Sequence, residues 1–168
     1  MNKIKNTRGV TLITLVIAII VLLIIAGISA YEGMKGLEKI ELEQLKTNML
    51  LVEAKAREYV EEANFKMGKE TDEGKIAEIK SAIYENGENG ALLQKASEAN
   101  LTNVPESIPV DECYVVTQET FEKWGLKNIK LQDNEKYLIK FDETNLEVEV
   151  YNTIGYNEKY SLTDIEQL

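Results

Sequence analysis

Histidine is absent from this chain of 168 residues, cysteine occurs once and proline twice. Without histidine the chain lacks the side chain that ordinarily titrates near neutral pH and the commonest metal ligand. Ser-His and Cys-His pairs are excluded with it, and neither a Gly-rich phosphate loop nor zinc-ligand spacing occurs. The single cysteine, Cys113, has no second cysteine with which to close a disulfide, so the fold must stand on packing alone. In a β-like run, that cysteine reads as a small buried hydrophobe. No proline precedes Pro105, so the residue that most strongly breaks helices is missing from the first hundred positions. The expectation is a protein with no catalytic residues, cofactor or metal.

Positive charge is also scarce after the first few residues. Met1 to Arg8 carries Lys3, Lys5 and Arg8 and no acid, and Gly9 to Tyr31 carries no charge at all. The net charge of −10 becomes −13 once the three positive charges of the head are set aside. An acidic body does not suit nucleic acid, because phosphate binding needs a basic face. It suits a solvated surface that resists non-specific association.

The uncharged stretch is about 34 Å long as a helix, against a hydrocarbon core of about 30 Å, and is long enough to span a membrane. Thr11 and Thr14 can return their hydroxyls to backbone carbonyls and do not oppose this. Three basic residues precede the span and Glu32 follows it, so the N-terminus is expected in the cytoplasm and the acidic body outside. A cleaved secretory signal would have a shorter apolar stretch, although Gly27-Ile28-Ser29-Ala30 is a passable cut site. A plain anchor would require nothing special at Gly9.

The run Arg8-Gly9-Val10-Thr11-Leu12-Ile13-Thr14-Leu15 resembles the cleavage and methylation signature of the type IV prepilin family. In that family a short basic leader ends in glycine, followed by an apolar residue, threonine, leucine and usually isoleucine. The resemblance is close over roughly the first 30 residues and extends in pattern over about 35 more. It implies cleavage between Gly9 and Val10 by a membrane-embedded prepilin peptidase, with methylation of the new amino group on Val10. Lys3, Lys5 and Arg8 would then belong to the leader, and Thr11 and Thr14 to the assembly surface. Two positions depart from the family: Val10 replaces the usual phenylalanine or methionine, and Thr14 replaces the usual glutamate. That glutamate neutralises a neighbour's N-terminal amine in the filament core. Thr14 offers a hydrogen bond without a charge, and the resemblance does not decide between a major and a minor subunit.

Beyond the span, apolar residues recur at Leu37, Ile40, Leu45, Met49, Val52, Ala56, Tyr59 and Ala63, which predicts one helix from Val10 to about Lys66. Glu53 with Arg57 and Glu62 with Lys66 are favourable i,i+4 pairs. Ile76, Ile79 and Ile83 predict a short helix, Asn86 to Gly90 a turn, and Ala91 to Ala99 another short helix. An extended backbone is expected around Pro105 and Pro109, then a strand over Cys113–Thr117. Thr117 is expected to cap a helix that Gly125 ends. Tyr137–Phe141 and Leu146–Tyr151 alternate as a hairpin with one buried face. Asp142, Glu143 and Asn145 between them lack the ligand spacing and glycine of an EF-hand and read as an ordinary turn. The tail from Ile154 is polar, with Ser161 capping a last helical turn.

The expected fold is α+β: a long N-terminal helix, transmembrane then amphipathic, packed on a small antiparallel sheet, as in pilins. The expected organisation is a leader over 1–9, a transmembrane part over 10–31 and an extracytoplasmic domain over 32–168. The resemblance implies a structural subunit of a type IV pilus or pseudopilus, for secretion or DNA uptake. Its partners would be the membrane, the prepilin peptidase, other pilin subunits, and an assembly platform with its ATPase; direct nucleic-acid binding is not expected. The other reading is an uncleaved single-pass protein whose outer domain binds a ligand or partner.

Overall fold

The computed structural model describes the backbone from Leu12 to Leu168 and side chains from Glu38 onward. The protein divides at Glu41 and Leu42 into two units. In the first, the backbone is helical from Leu12; this is the start of helix α1, Leu12–Met67. The second unit contains all remaining elements in an α+β arrangement. They are α2 (Glu73–Lys80), a π-helical segment (Ser81–Glu85), β1 (Gln94–Lys95), a 3₁₀ turn (Val110–Glu112), β2 (Cys113–Val116), α3 (Gln118–Lys123), β3 (Tyr137–Asp142), β4 (Glu147–Tyr156), β5 (Lys159–Ser161) and α4 (Leu162–Glu166). The five strands form one antiparallel sheet in the order β1-β2-β3-β4-β5.

Helix α1 meets the sheet through Met49, Val52, Ala56, Val60 and Ala63, all fully buried. Their three- and four-residue steps place them on one helical face. They share a core with Val116, Tyr137, Ile139, Val148 and Val150 from β2, β3 and β4. Each large apolar side chain buried here contributes roughly 1.5–3 kcal/mol relative to exposure. The buried stripe differs from the expected series at two positions: Ile40 is 63% exposed, while Val60, outside the predicted series, is fully buried.

The sheet is covered on both faces, which the predicted one-sided hairpin did not anticipate. Leu138 is fully buried and joins Val115 and Cys113 on the second face, under Ala96 and Ile108 from the segment between β1 and β2. Leu146 leaves the alternation: it sits in the turn with φ +57° and is 36% exposed.

Two expected helices behave differently. Thr117 caps α3, accepting from the Thr120 N–H while the Thr120 hydroxyl accepts from the Thr117 N–H. Gly125 follows with φ +76°, in the left-handed region glycine favours. Ala91–Ala99, by contrast, is irregular and includes the short strand β1. Its backbone groups are taken by distant partners: Ala91 N–H by Ile83 C=O, Leu93 N–H by Tyr84 C=O, Ala91 C=O by Trp124 Nε1 and Leu92 C=O by the Thr120 hydroxyl. A helix would need the Ala91 and Leu92 carbonyls for the N–H groups of Lys95 and Ala96. Turns and the 3₁₀ segment replace the extended backbone expected around the prolines. The tail is more ordered than its polarity suggested. β4 runs on to Tyr156, β5 pairs with it, and Ser161 caps α4, which buries Leu162 and Ile165.

Candidate functional site

Lys3, Lys5, Arg8, Gly9, Val10 and Thr11 lie outside the described residues, and Thr14 lies in α1 where the backbone alone is described. Among the described residues, no helix is long and apolar enough to cross a membrane. The expected span, residues 10–31, precedes the first described side chain.

Within the second unit the charged and hydroxyl-bearing side chains converge on three places. The first is Glu143, in the turn between β3 and β4. Its carboxylate accepts from the Tyr84 hydroxyl at 3.1 Å and pairs with Lys80 Nζ at 3.0 Å. Its backbone carbonyl accepts from Asn64 Nδ2 at 2.7 Å. One turn residue thus ties α1, the end of α2 and the π-helical segment to the hairpin. Tyr84 stacks on Phe141 with ring centroids 4.2 Å apart. Burial, and then the charge of Glu143, push the Tyr84 hydroxyl well above the usual phenol range.

The second is the buried Glu135–Asn152 pair. Asn152 Nδ2 donates to Glu135 Oε1 at 2.7 Å, and Glu135 Oε2 accepts from the Gln132 N–H at 2.8 Å. The Asn152 side-chain oxygen accepts from the N–H groups of Ile154 and Gly155. Every polar side-chain atom of the pair is used internally, which makes it a scaffold for the reversals of direction on either side.

The third is the Asp142 turn. Asp142 Oδ1 accepts from the N–H groups of Thr144 and Asn145, and Oδ2 accepts from Asn145 Nδ2. These donors hold its carboxyl below the usual aspartate range. The expected turn is present, and its donors satisfy the oxygens that a cation would otherwise have drawn on. A shallow depression nearby is lined by Arg57, Lys140, Asp142, Glu147, Glu149 and Thr163. Several of its charges already have partners: Arg57 with Glu53, Lys140 with Glu112, and Glu149 with Thr163.

Cys113 is buried, and burial pushes its thiol up to about 12, so it stays protonated at neutral pH and is a poor nucleophile. Among the described residues no three or more Cys, Asp or Glu side chains gather as metal ligands. What the arrangement does chemically is hold a small sheet rigidly with an acidic, solvated exterior.

Neither the Glu143 junction nor the Glu135–Asn152 pair carries a signal of its own in the sequence pattern read above. Tyr84 and Glu143 are 59 positions apart, and nothing local marks either. A weak signal exists for Asn152, a polar residue at an inward position of an otherwise apolar alternation. No family model matches the sequence, and comparisons with curated proteins and with solved structures find no match.

Proposed function

We propose that this protein is a subunit of a type IV pilus or of a related pseudopilus, made as a precursor and cut between Gly9 and Val10. The observation that carries the reading is the junction Arg8-Gly9-Val10-Thr11-Leu12, where a basic leader ends in glycine directly before an uncharged segment. Two further features support it. The backbone is helical from Leu12 to Met67, and the following unit is a small antiparallel sheet packed on the helix's later turns.

In this reading the leader anchors the precursor with its N-terminus in the cytoplasm and its acidic domain outside. Prepilin peptidase removes residues 1–9 and methylates Val10. The apolar segments of many copies then leave the bilayer and bundle, so burial against each other replaces burial in lipid. An assembly platform and its ATPase supply the work. The protein's role is assembly, and its finished location is an extracellular filament.

Mass spectrometry of the N-terminal peptide from native membranes tests the reading. The expected peptide begins at a methylated Val10, and replacing Gly9 with a bulky residue should leave the leader attached. An intact leader on the wild-type protein, in cells with active prepilin peptidase, would overturn it in favour of an uncleaved single-pass protein with an outer binding domain.

A further inference from the structure

Asn86 and Asn89 are each followed by glycine, and all but Gly90 of these four residues are exposed. A glycine leaves the approach of its nitrogen to the preceding side chain unobstructed, since it has no Cβ. The two dipeptides share one loop, yet the surroundings of their glycines are opposite.

Gly90 is buried and its N–H donates to Asn86 C=O at 3.2 Å. Its α-carbon is wedged so tightly that a Cβ would stand 2.5 Å from Ile83 O and 2.7 Å from Ala82 O. The Gly90 nitrogen can neither turn nor lose its proton to water without breaking this fit. Gly87 lies in the open, and its N–H has no hydrogen-bond acceptor among the described residues. The Asn86 side-chain oxygen accepts from the N–H groups of Glu88 at 2.8 Å and Asn89 at 3.1 Å. Two donors on that oxygen draw electron density from Cγ and favour negative charge on the oxygen, as donors do in an oxyanion hole.

We propose that Asn86 is a site of spontaneous self-modification, in which Gly87 attacks its side chain, while Asn89 in the same loop is protected. The Gly87 nitrogen gives its proton to water and bonds to Asn86 Cγ. The amide nitrogen takes up a proton and leaves as ammonia, closing a five-membered imide. Water then adds across one of the two imide C–N bonds. Opening at Cγ yields aspartate; opening at the backbone carbonyl yields isoaspartate. Nothing is oxidised or reduced, and water is the sole co-reactant.

Either product places a new negative charge close to Glu85 and Glu88. Isoaspartate does more, because the backbone then runs through Cβ and Cγ. The carbonyl that receives the N–H groups of Gly90 and Leu92 becomes a free carboxylate off the backbone. The loop joining the π-helical segment to β1 therefore changes irreversibly with the age of the molecule.

The test is incubation of the full-length protein in mildly alkaline buffer, followed by peptide mapping with fragmentation that separates aspartate from isoaspartate. Attack at Asn86 swings its carbonyl away from the Gly90 and Leu92 N–H groups, whereas attack at Asn89 must also unseat the buried Gly90 from its fit against Ile83 and Ala82. Asn86 should therefore convert about ten times faster than Asn89 in the folded protein. In concentrated urea the two should convert at similar rates. Gly87→Ala should slow conversion at Asn86 and leave Asn89 unchanged. The added Cβ meets only the flexible end of Leu92, at 3.1 Å, so the fold should survive. Conversion at Asn89 as fast as at Asn86 in the folded protein would overturn the proposal. So would an Asn86 that is unreactive when folded and converts when unfolded, or a rate at Asn86 that ignores Gly87→Ala.

Discussion

Thr14 stands where type IV prepilins usually carry glutamate, and under the proposed function that difference would have a physical cost. A buried N-terminal amine without a charged neighbour loses several kcal/mol, and a homopolymer repeats that loss at every subunit. Thr14→Glu should therefore raise the amount of protein recovered in sheared filaments if the protein is a minor or tip subunit. No change, with abundant wild-type protein along the shaft, would show that threonine suffices in a major subunit. Asn152→Ala leaves the Glu135 carboxylate and the Ile154 and Gly155 N–H groups without their partner in a buried place. It should destabilise the fold by about 3 kcal/mol, read as a lower urea midpoint. A midpoint within error of wild type would mean that solvent replaces asparagine there. Single residues are legible where their role is local, as with the Thr117 and Ser161 caps and the buried Cys113. Glu143 and Glu135 are not, because their partners come from other elements.

Helix α1 and the β3–β4 hairpin are readable as elements because each carries a long periodic pattern. Two of the residues through which the helix meets the sheet, Ala56 and Ala63, are small and fully buried. Ala56→Leu should overpack that contact and cost about 1–3 kcal/mol by denaturant titration. Phe65→Ser, at an 85% exposed position of the same helix, should change stability by less than about 0.5 kcal/mol. Equal effects at both positions would refute the packing described for α1. Where sequence reading fails, the failure is also one of elements. Ala91–Ala99 has helix-forming composition, but its backbone groups bond to Ile83, Tyr84, Thr120 and Trp124. The tail is polar by composition, yet β5 and α4 need only Leu162 and Ile165 to anchor them. Short elements like these carry too few residues for periodicity to declare them.

For the molecule as a whole, residues 32–168 should be soluble, monomeric and folded when expressed alone, with mixed helix and strand by circular dichroism. A disordered fragment, or a stable dimer through the Leu45–Ala63 stripe, would contradict that. The same fragment should fail at alkaline rather than mildly acidic pH. Burial pushes Tyr114 and Tyr151 from an ordinary 10.0 up to about 12, moves Cys113 from 9.0 to about 12, and raises Tyr84 and Tyr137 further. The folded state therefore holds protons that the unfolded state releases. Their contribution is complete below pH 9 and is lost as pH rises through about 12 and, for Tyr84 and Tyr137, beyond it. Tyrosinate absorbance should accordingly rise together with loss of circular dichroism, whereas independent ionisation of these tyrosines in a still-folded domain would show that they are open to water. By itself the sequence determined the charge division, the glycine junction before an uncharged segment, the long helix and the central hairpin, since each is written in neighbouring residues or in a sustained period. Only the tertiary structure decided the rest: two covered sheet faces, a non-helical Ala91–Ala99, an ordered tail and the roles of Glu143 and Glu135. These depend on backbone and side-chain groups many positions apart satisfying one another, and a buried polar group's partner cannot be read from its own neighbours in sequence.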